Sequence, residues 1–125
     1  MTDLSEKTIL VAEDDPINMI IAVKILEQKK ARIVKAFNGL DALKKLASNK
    51  NTDLVLMDLE MPEMDGYRTL KKIREQHLKL PVIAFTAYFL DKEMQTILLD
   101  NGFTDSIPKP FHPDTFYEKI FKCLS

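Results

Sequence analysis

The chain has 125 residues, 46% of them hydrophobic, and a formal net charge of −1. That length describes one domain with a sizeable core, since domains near this size bury roughly two-thirds of their unfolded surface. The composition excludes disorder, the charge gives no bulk reason to bind nucleic acid or anionic membrane, and no apolar run approaches the ~18 residues of a membrane span.

The polar, mixed-charge start over 1–7 does not read as a secretory signal, and the domain proper is expected over 8–125. A single cysteine, Cys123, has no partner for an internal disulfide or a metal cluster. A reducing, cytoplasmic setting and an inert helical thiol fit it best.

The first apolar run, 8–12, is rich in β-branched residues and predicts a buried strand that ends on Glu13-Asp14-Asp15-Pro16. Asp15 suits the N-cap and Pro16 the first turn of a helix over about 17–28. That helix is apolar almost all round, which predicts more than one covered face or a docking patch. A mixed strand follows over 31–37, the turn Asn38-Gly39, and an amphipathic helix over 40–48 with Leu40, Leu43, Leu46 and Ala47 on its buried stripe. The run Leu54-Val55-Leu56-Met57 predicts a strand buried on both faces, ending on Asp58. Pro62 and Asp65-Gly66 shape the loop behind it, while Met57, Met61 and Met64 read as packing residues.

A helix to about residue 76 carries Leu70 and Ile73 on its apolar side, and His77 after it reads as a surface residue. A strand over 80–86 ends on Thr86. Next comes a helix over 90–101, capped by Asp91, stopped by Asn101-Gly102, with Met94, Ile97 and Leu98 as its stripe. A short strand over 106–108 leads to Lys109-Pro110-Phe111. The last helix, 113–124, is started by His112 or Asp114 and faces inward with Phe116, Ile120 and Leu124. Five strands alternating with five helices predict an open parallel α/β sheet with helices on both faces, whose site lies beyond the carboxyl ends of the strands.

Four of those ends carry polar groups: Glu13 and Asp14, then Asp58, Thr86 and Lys109. Carboxylates gathered at one rim repel by about 4 kcal/mol per pair at ~4 Å and an effective dielectric of about 20. A hard cation such as Mg²⁺ relieves this, and a metal among acids with a lysine points to phosphoryl chemistry. Lys109 neutralises the transferred group, Thr86 hydrogen-bonds one of its oxygens, and Asp58 is the nucleophile. Asp15 reads as a cap rather than a ligand.

These pieces, 9–16, 57–66, Phe85-Thr86-Ala87 and Lys109-Pro110-Phe111, resemble the receiver domain of two-component response regulators, and the resemblance covers about 8–124. Glu13-Asp14, Pro16 with Asn18, and the methionine-rich stretch around Asp58 are most similar to receivers of hybrid sensor histidine kinases. The resemblance implies a flavodoxin-like (βα)5 three-layer sandwich with strand order 2-1-3-4-5. It implies phosphorylation of Asp58 from a histidine kinase or histidine phosphotransfer domain, followed by onward transfer or hydrolysis. The metal ligands it implies are Glu13, Asp14, Asp58 and the backbone carbonyl of Glu60; it also implies a cis Lys109-Pro110 bond. Asn18, Met19, Ala22 and Pro110 are the implied partner contacts, with simple packing as the alternative for Met19 and Ala22.

No DNA-binding module is expected after residue 124, so transcriptional activity is not expected of this chain, and the 90–124 region offers a face for a weak homodimer. One departure stands out. Receivers usually carry an aromatic residue three positions before the lysine, and here that residue is Ser106; Tyr88 or Phe89 are the substitutes at hand. Two other readings compete: a degenerate receiver that only binds partners, against which the complete polar set counts, and an acyl-phosphate hydrolase, for whose cap the short connections leave no room.

Overall fold

The computed structural model describes residues 3–61, 64–76, 78–87 and 91–125. Pro62, Glu63, His77, Tyr88, Phe89 and Leu90, which carry the expected loop turn, a surface histidine, the substitute aromatics and the start of a helix, lie outside them. The elements alternate as β1 (Thr8–Ala12), α1 (Pro16–Glu27), β2 (Arg32–Ala36), α2 (Gly39–Ser48), β3 (Leu54–Asp58), α3 (Gly66–Glu75), β4 (Val82–Thr86), α4 (Lys92–Asp100), β5 (Asp105–Pro108) and α5 (Pro113–Leu124).

The strands pair in parallel, in the order β2-β1-β3-β4-β5, which makes the flavodoxin-like sandwich expected from the sequence. Each run of apolar residues is covered on both faces, so β3 and β4 are buried from end to end. Because side chains alternate across a strand, each strand feeds two cores. Ile9, Val11, Leu54, Leu56, Ile83, Phe85 and Ile107 face α1 and α5. Leu10, Ala12, Val55, Met57, Val82 and Ala84 face α2, α3 and α4. Rings as large as the fully buried Phe85 and Phe116 each contribute about 2–3 kcal/mol of burial free energy.

The helix starts follow the short polar residues. Asp15, Asn38, Asp65 and Asp91 each accept a backbone N–H of the first turn. His112 occupies the corresponding position of α5 but makes no side-chain cap, and Pro113 sets that first turn instead.

Several faces differ from the expected ones. Leu40 and Ile97 are exposed; α2 buries Gly39, Ala42 and Leu46, and α4 buries Leu98. The α2 helix begins one residue earlier than expected, at Gly39, which a Thr69 side chain and the Met64 carbonyl approach too closely for any Cβ. The segment before β1 also joins the fold. Leu4 is fully buried, its N–H donates to the Lys29 carbonyl at 2.7 Å, and the Lys7 carbonyl accepts from Arg32 N–H at 2.9 Å.

Candidate phosphoryl-acceptor site

The strand order reverses between β1 and β3, and the crevice beyond their carboxyl ends is where such sheets bind ligands. Glu13 leaves β1 there, with its N–H bonded to the Ala36 carbonyl at 3.0 Å. Asp58 is the last residue of β3, registered against Phe85 of β4, and Thr86 is the last residue of β4, registered against Pro108. A bond of 2.8 Å from Lys109 N–H to the Thr86 carbonyl ties the end of β5 to β4. The Lys109-Pro110 bond is cis. These ends line an open cleft of about 520 Å³ with Asp14, Asp15, Asn18, Glu60 and Ala87.

Buried charges confront one another inside the cleft. The Lys109 ammonium lies 3.0 Å from Glu13 Oε2 and 3.3 Å from Asp58 Oδ1. Asp58 Oδ1 also accepts the Glu60 N–H at 3.2 Å. Glu13 Oε1 accepts from Asp15 N–H at 3.1 Å, whereas Glu13 Oε2 is buried and has no hydrogen bond. Lysine is close enough to that oxygen for a strong ion pair but approaches outside hydrogen-bonding angles. Burial pushes the Glu13 carboxyl up to about 7; Lys109 opposes the shift and Asp58 adds to it. Burial likewise raises Asp58, against the pull of Lys109 and the Glu60 N–H.

One lysine does not balance three acids. Carboxylate oxygens of Glu13, Asp14 and Asp58 lie within 4.8 Å of one another. A buried carboxylate oxygen without a hydrogen bond, beside two further acids, is a donor set that suits a small hard cation. Mg²⁺ fits it, with room for waters in the open cleft.

The first turn of α3 shapes the site as well. A Cβ on Gly66 would stand 2.5 Å from the Asp58 carbonyl oxygen. Gly66 therefore does more than form a turn: it lets α3 start against the end of β3. The Asp15 carboxylate accepts from Ile17 N–H and from the Asn18 side-chain amide, so it serves as a cap, as the sequence suggested.

The expected partner contacts divide. Asn18 is half-buried in the cleft and Pro110 is exposed. Met19 and Ala22 belong to the core between α1 and the sheet, so they offer no surface. A helix apolar all round hides its phase; the outward residues are Ile17, Ile20 and Ile21.

Sequence reasoning missed Lys119, whose ammonium holds the Asp105 carboxylate at 3.1 Å and the Ser106 carbonyl at 2.6 Å. No pattern in the chain links a lysine of α5 to β5.

An acidic pocket, a lysine after the last strand and a hydroxyl after the fourth, on a parallel sheet of this order, define a class of signalling domain. The chain belongs to the response regulator receiver domain family, which it matches over residues 9–121. It is 37% identical over 120 residues to the sensor histidine kinase RcsC of Escherichia coli K12, covering 96% of this chain and 12% of that protein. It is 38% identical over 119 residues to the probable C4-dicarboxylate response regulator DctR of Bacillus subtilis, covering 94% of this chain and 52% of that one. Among solved structures, the receiver domain of Francisella response regulator 1452 superposes with a TM-score of 0.82 at 32% identity, over 95% of this chain and 97% of that one. The chain thus spans a small part of the first of these relatives and about half of the second. No helix among the described residues is long and apolar enough to cross a membrane.

Proposed function

We propose that this domain accepts a phosphoryl group onto Asp58 from a phosphohistidine of a histidine kinase or histidine phosphotransfer domain, and then passes it on or loses it to water. The observation that carries this reading is the Asp58 carboxylate at the end of a buried strand, 3.3 Å from Lys109 and grouped with Glu13 and Asp14.

Glu13, Asp14, Asp58 and the Glu60 carbonyl would hold Mg²⁺. When bound, the ion neutralises charge on the phosphoryl oxygens. Lys109 and the Glu60 N–H both engage Asp58 Oδ1, which fixes the carboxylate plane and leaves Oδ2 to attack phosphorus. As the new O–P bond forms, the N–P bond to histidine breaks and the ring nitrogen takes the electron pair, so Asp58 needs no general base. Thr86 and Lys109 then meet the added oxygens, which bring about −1.5 to −2 charges.

Ile17, Ile20 and Ile21, exposed on the same helix as the cleft residue Asn18, supply an apolar surface for the histidine-bearing partner, with Pro110 as a further exposed contact. The single unpaired Cys123 agrees with action in the cytoplasm.

Acetyl phosphate with Mg²⁺ tests the reaction by intact mass. The wild type is expected to gain one phosphoryl mass that Asp58→Asn does not gain. Equal gain in both proteins would rule Asp58 out as the acceptor.

A further inference from the structure

The position that usually carries the moving aromatic holds Ser106, which is buried and cannot swing a ring inward. Lys119 fixes its carbonyl, and the same ammonium holds Asp105. The cavity beside it, under Leu98, Leu99 and Phe103, measures about 60 Å³, well short of the ~150 Å³ that accepts a benzene ring. Among the described residues, the α4 side of β5 is therefore closely filled, and Lys119 ties its strand down.

The other side of the sheet differs. The Lys109 ammonium stands 5.1 Å from the centre of the Phe85 ring. Phe85 meets Phe111 edge to face at 5.2 Å, and Phe111 meets Phe116 in the same way at 5.4 Å. Phe116 leads to Tyr117 at 6.5 Å. The Tyr117 hydroxyl donates to the Ile25 carbonyl of α1 at 2.7 Å, and the Lys29 ammonium covers its ring at 5.0 Å. A continuous file of rings joins the cleft lysine to the contact between α5 and α1. Phe85 and Phe116 are fully enclosed, while Phe111 between them is only half-buried.

We propose that the phosphorylated state is read out on the α1–α5 side, through Lys109, Phe85, Phe111, Phe116 and Tyr117, rather than through β5 and α4, with Phe111 as the positioning residue of that file. The proposal rests on the receiver reading of the cleft. New negative charge on Asp58 draws the Lys109 ammonium off its place over the Phe85 face, and the ring loses that cation–π attraction while its edge contact with Phe111 remains. A close-packed interior cannot absorb that change locally, so Phe111 turns and Phe116 and Tyr117 follow.

The test uses the full chain labelled with fluorotyrosine and titrated with beryllofluoride and Mg²⁺, followed by fluorine NMR. Tyr67, packed on Phe103 at 5.8 Å on the opposite side of the sheet, is the internal comparison. Tyr→Phe variants assign the signals. The Tyr117 resonance is expected to shift more than that of Tyr67, and in Phe111→Leu the Tyr117 shift falls to less than about a third of its wild-type size while beryllofluoride still binds. A silent Tyr117 beside a bound-beryllofluoride signal, or an undiminished shift in Phe111→Leu, overturns the routing alone. Absence of any bound-beryllofluoride signal in the wild type overturns the receiver reading and the routing with it.

Discussion

The two ends of the sheet treat buried charge in opposite ways. At the amino ends of the strands, charged side chains terminate backbone groups. The Asp53 carboxylate accepts from Thr8 N–H at 2.8 Å. The Arg74 guanidinium donates to the carbonyls of Leu78, Leu80 and Gly102 at 2.7, 2.9 and 3.0 Å, joining two connections with one side chain. At the carboxyl ends, charge meets charge: two buried carboxylates share one lysine, and a third acid stands beside them. The first arrangement is complete as it stands. The second has a surplus of negative charge and is complete only with a ligand. The same residue types hold the fold at one end and create a demand at the other.

Removing a charge should therefore have opposite signs at the two ends. The largest effect is expected for Arg74→Met, which leaves three carbonyls without their donor; urea unfolding should show a loss of about 2–3 kcal/mol. A loss under about 0.5 kcal/mol would mean that water replaces the guanidinium without penalty and that the contrast is superficial.

Glu13→Gln should act the other way. Folding moves this carboxyl from its ordinary value of 4.5 up to about 7. Between those values the folded chain binds more protons than the unfolded one, so its contribution to stability declines as pH rises through the window and stays low above it. In a chelator at about pH 8, Glu13→Gln is expected to gain about 1–2 kcal/mol, with little change near pH 4, and to lose most of the stabilisation that Mg²⁺ gives the wild type. A variant less stable than wild type at pH 8 would show that Lys109 already satisfies the site.

The smallest effect belongs to the amino end again. Lys30, which closes the turn after α1, has a φ of 69°. Glycine carries no Cβ to oppose that conformation, so Lys30→Gly should raise stability by about 0.5–1 kcal/mol, read as a higher melting temperature. No gain would mean that the lysine side chain contributes something that its backbone strain conceals.

The contrast also explains what could be read in advance. Buried strands ending in Glu13, Asp58, Thr86 and Lys109 are local signals, and their number and spacing carry the fold and the cleft together. Arg74 and Lys119 are different: each reaches backbone carbonyls in distant segments, and nothing in a lysine or arginine on an amphipathic helix distinguishes that use from solvation. Met19 and Ala22 could not be told from Ile17 and Ile20, because an almost uniformly apolar helix has no readable phase. The ring file escaped for a further reason. Phe85, Phe111 and Phe116 come from a strand, a loop and a helix, and only the packed molecule brings them into line.

Leu4 has a practical bearing. Its side chain lies in the same core as Phe116 and Val23, and the short stretch behind it is stitched to the turn after α1 and to the outermost strand. A boundary drawn at the first residue of β1 would cut away part of the interior and uncover the flank of an edge strand. Anyone grafting this module onto another output, or trimming it for a sensor, must carry the leading residues along, because the polar prefix is the seam by which the domain is closed.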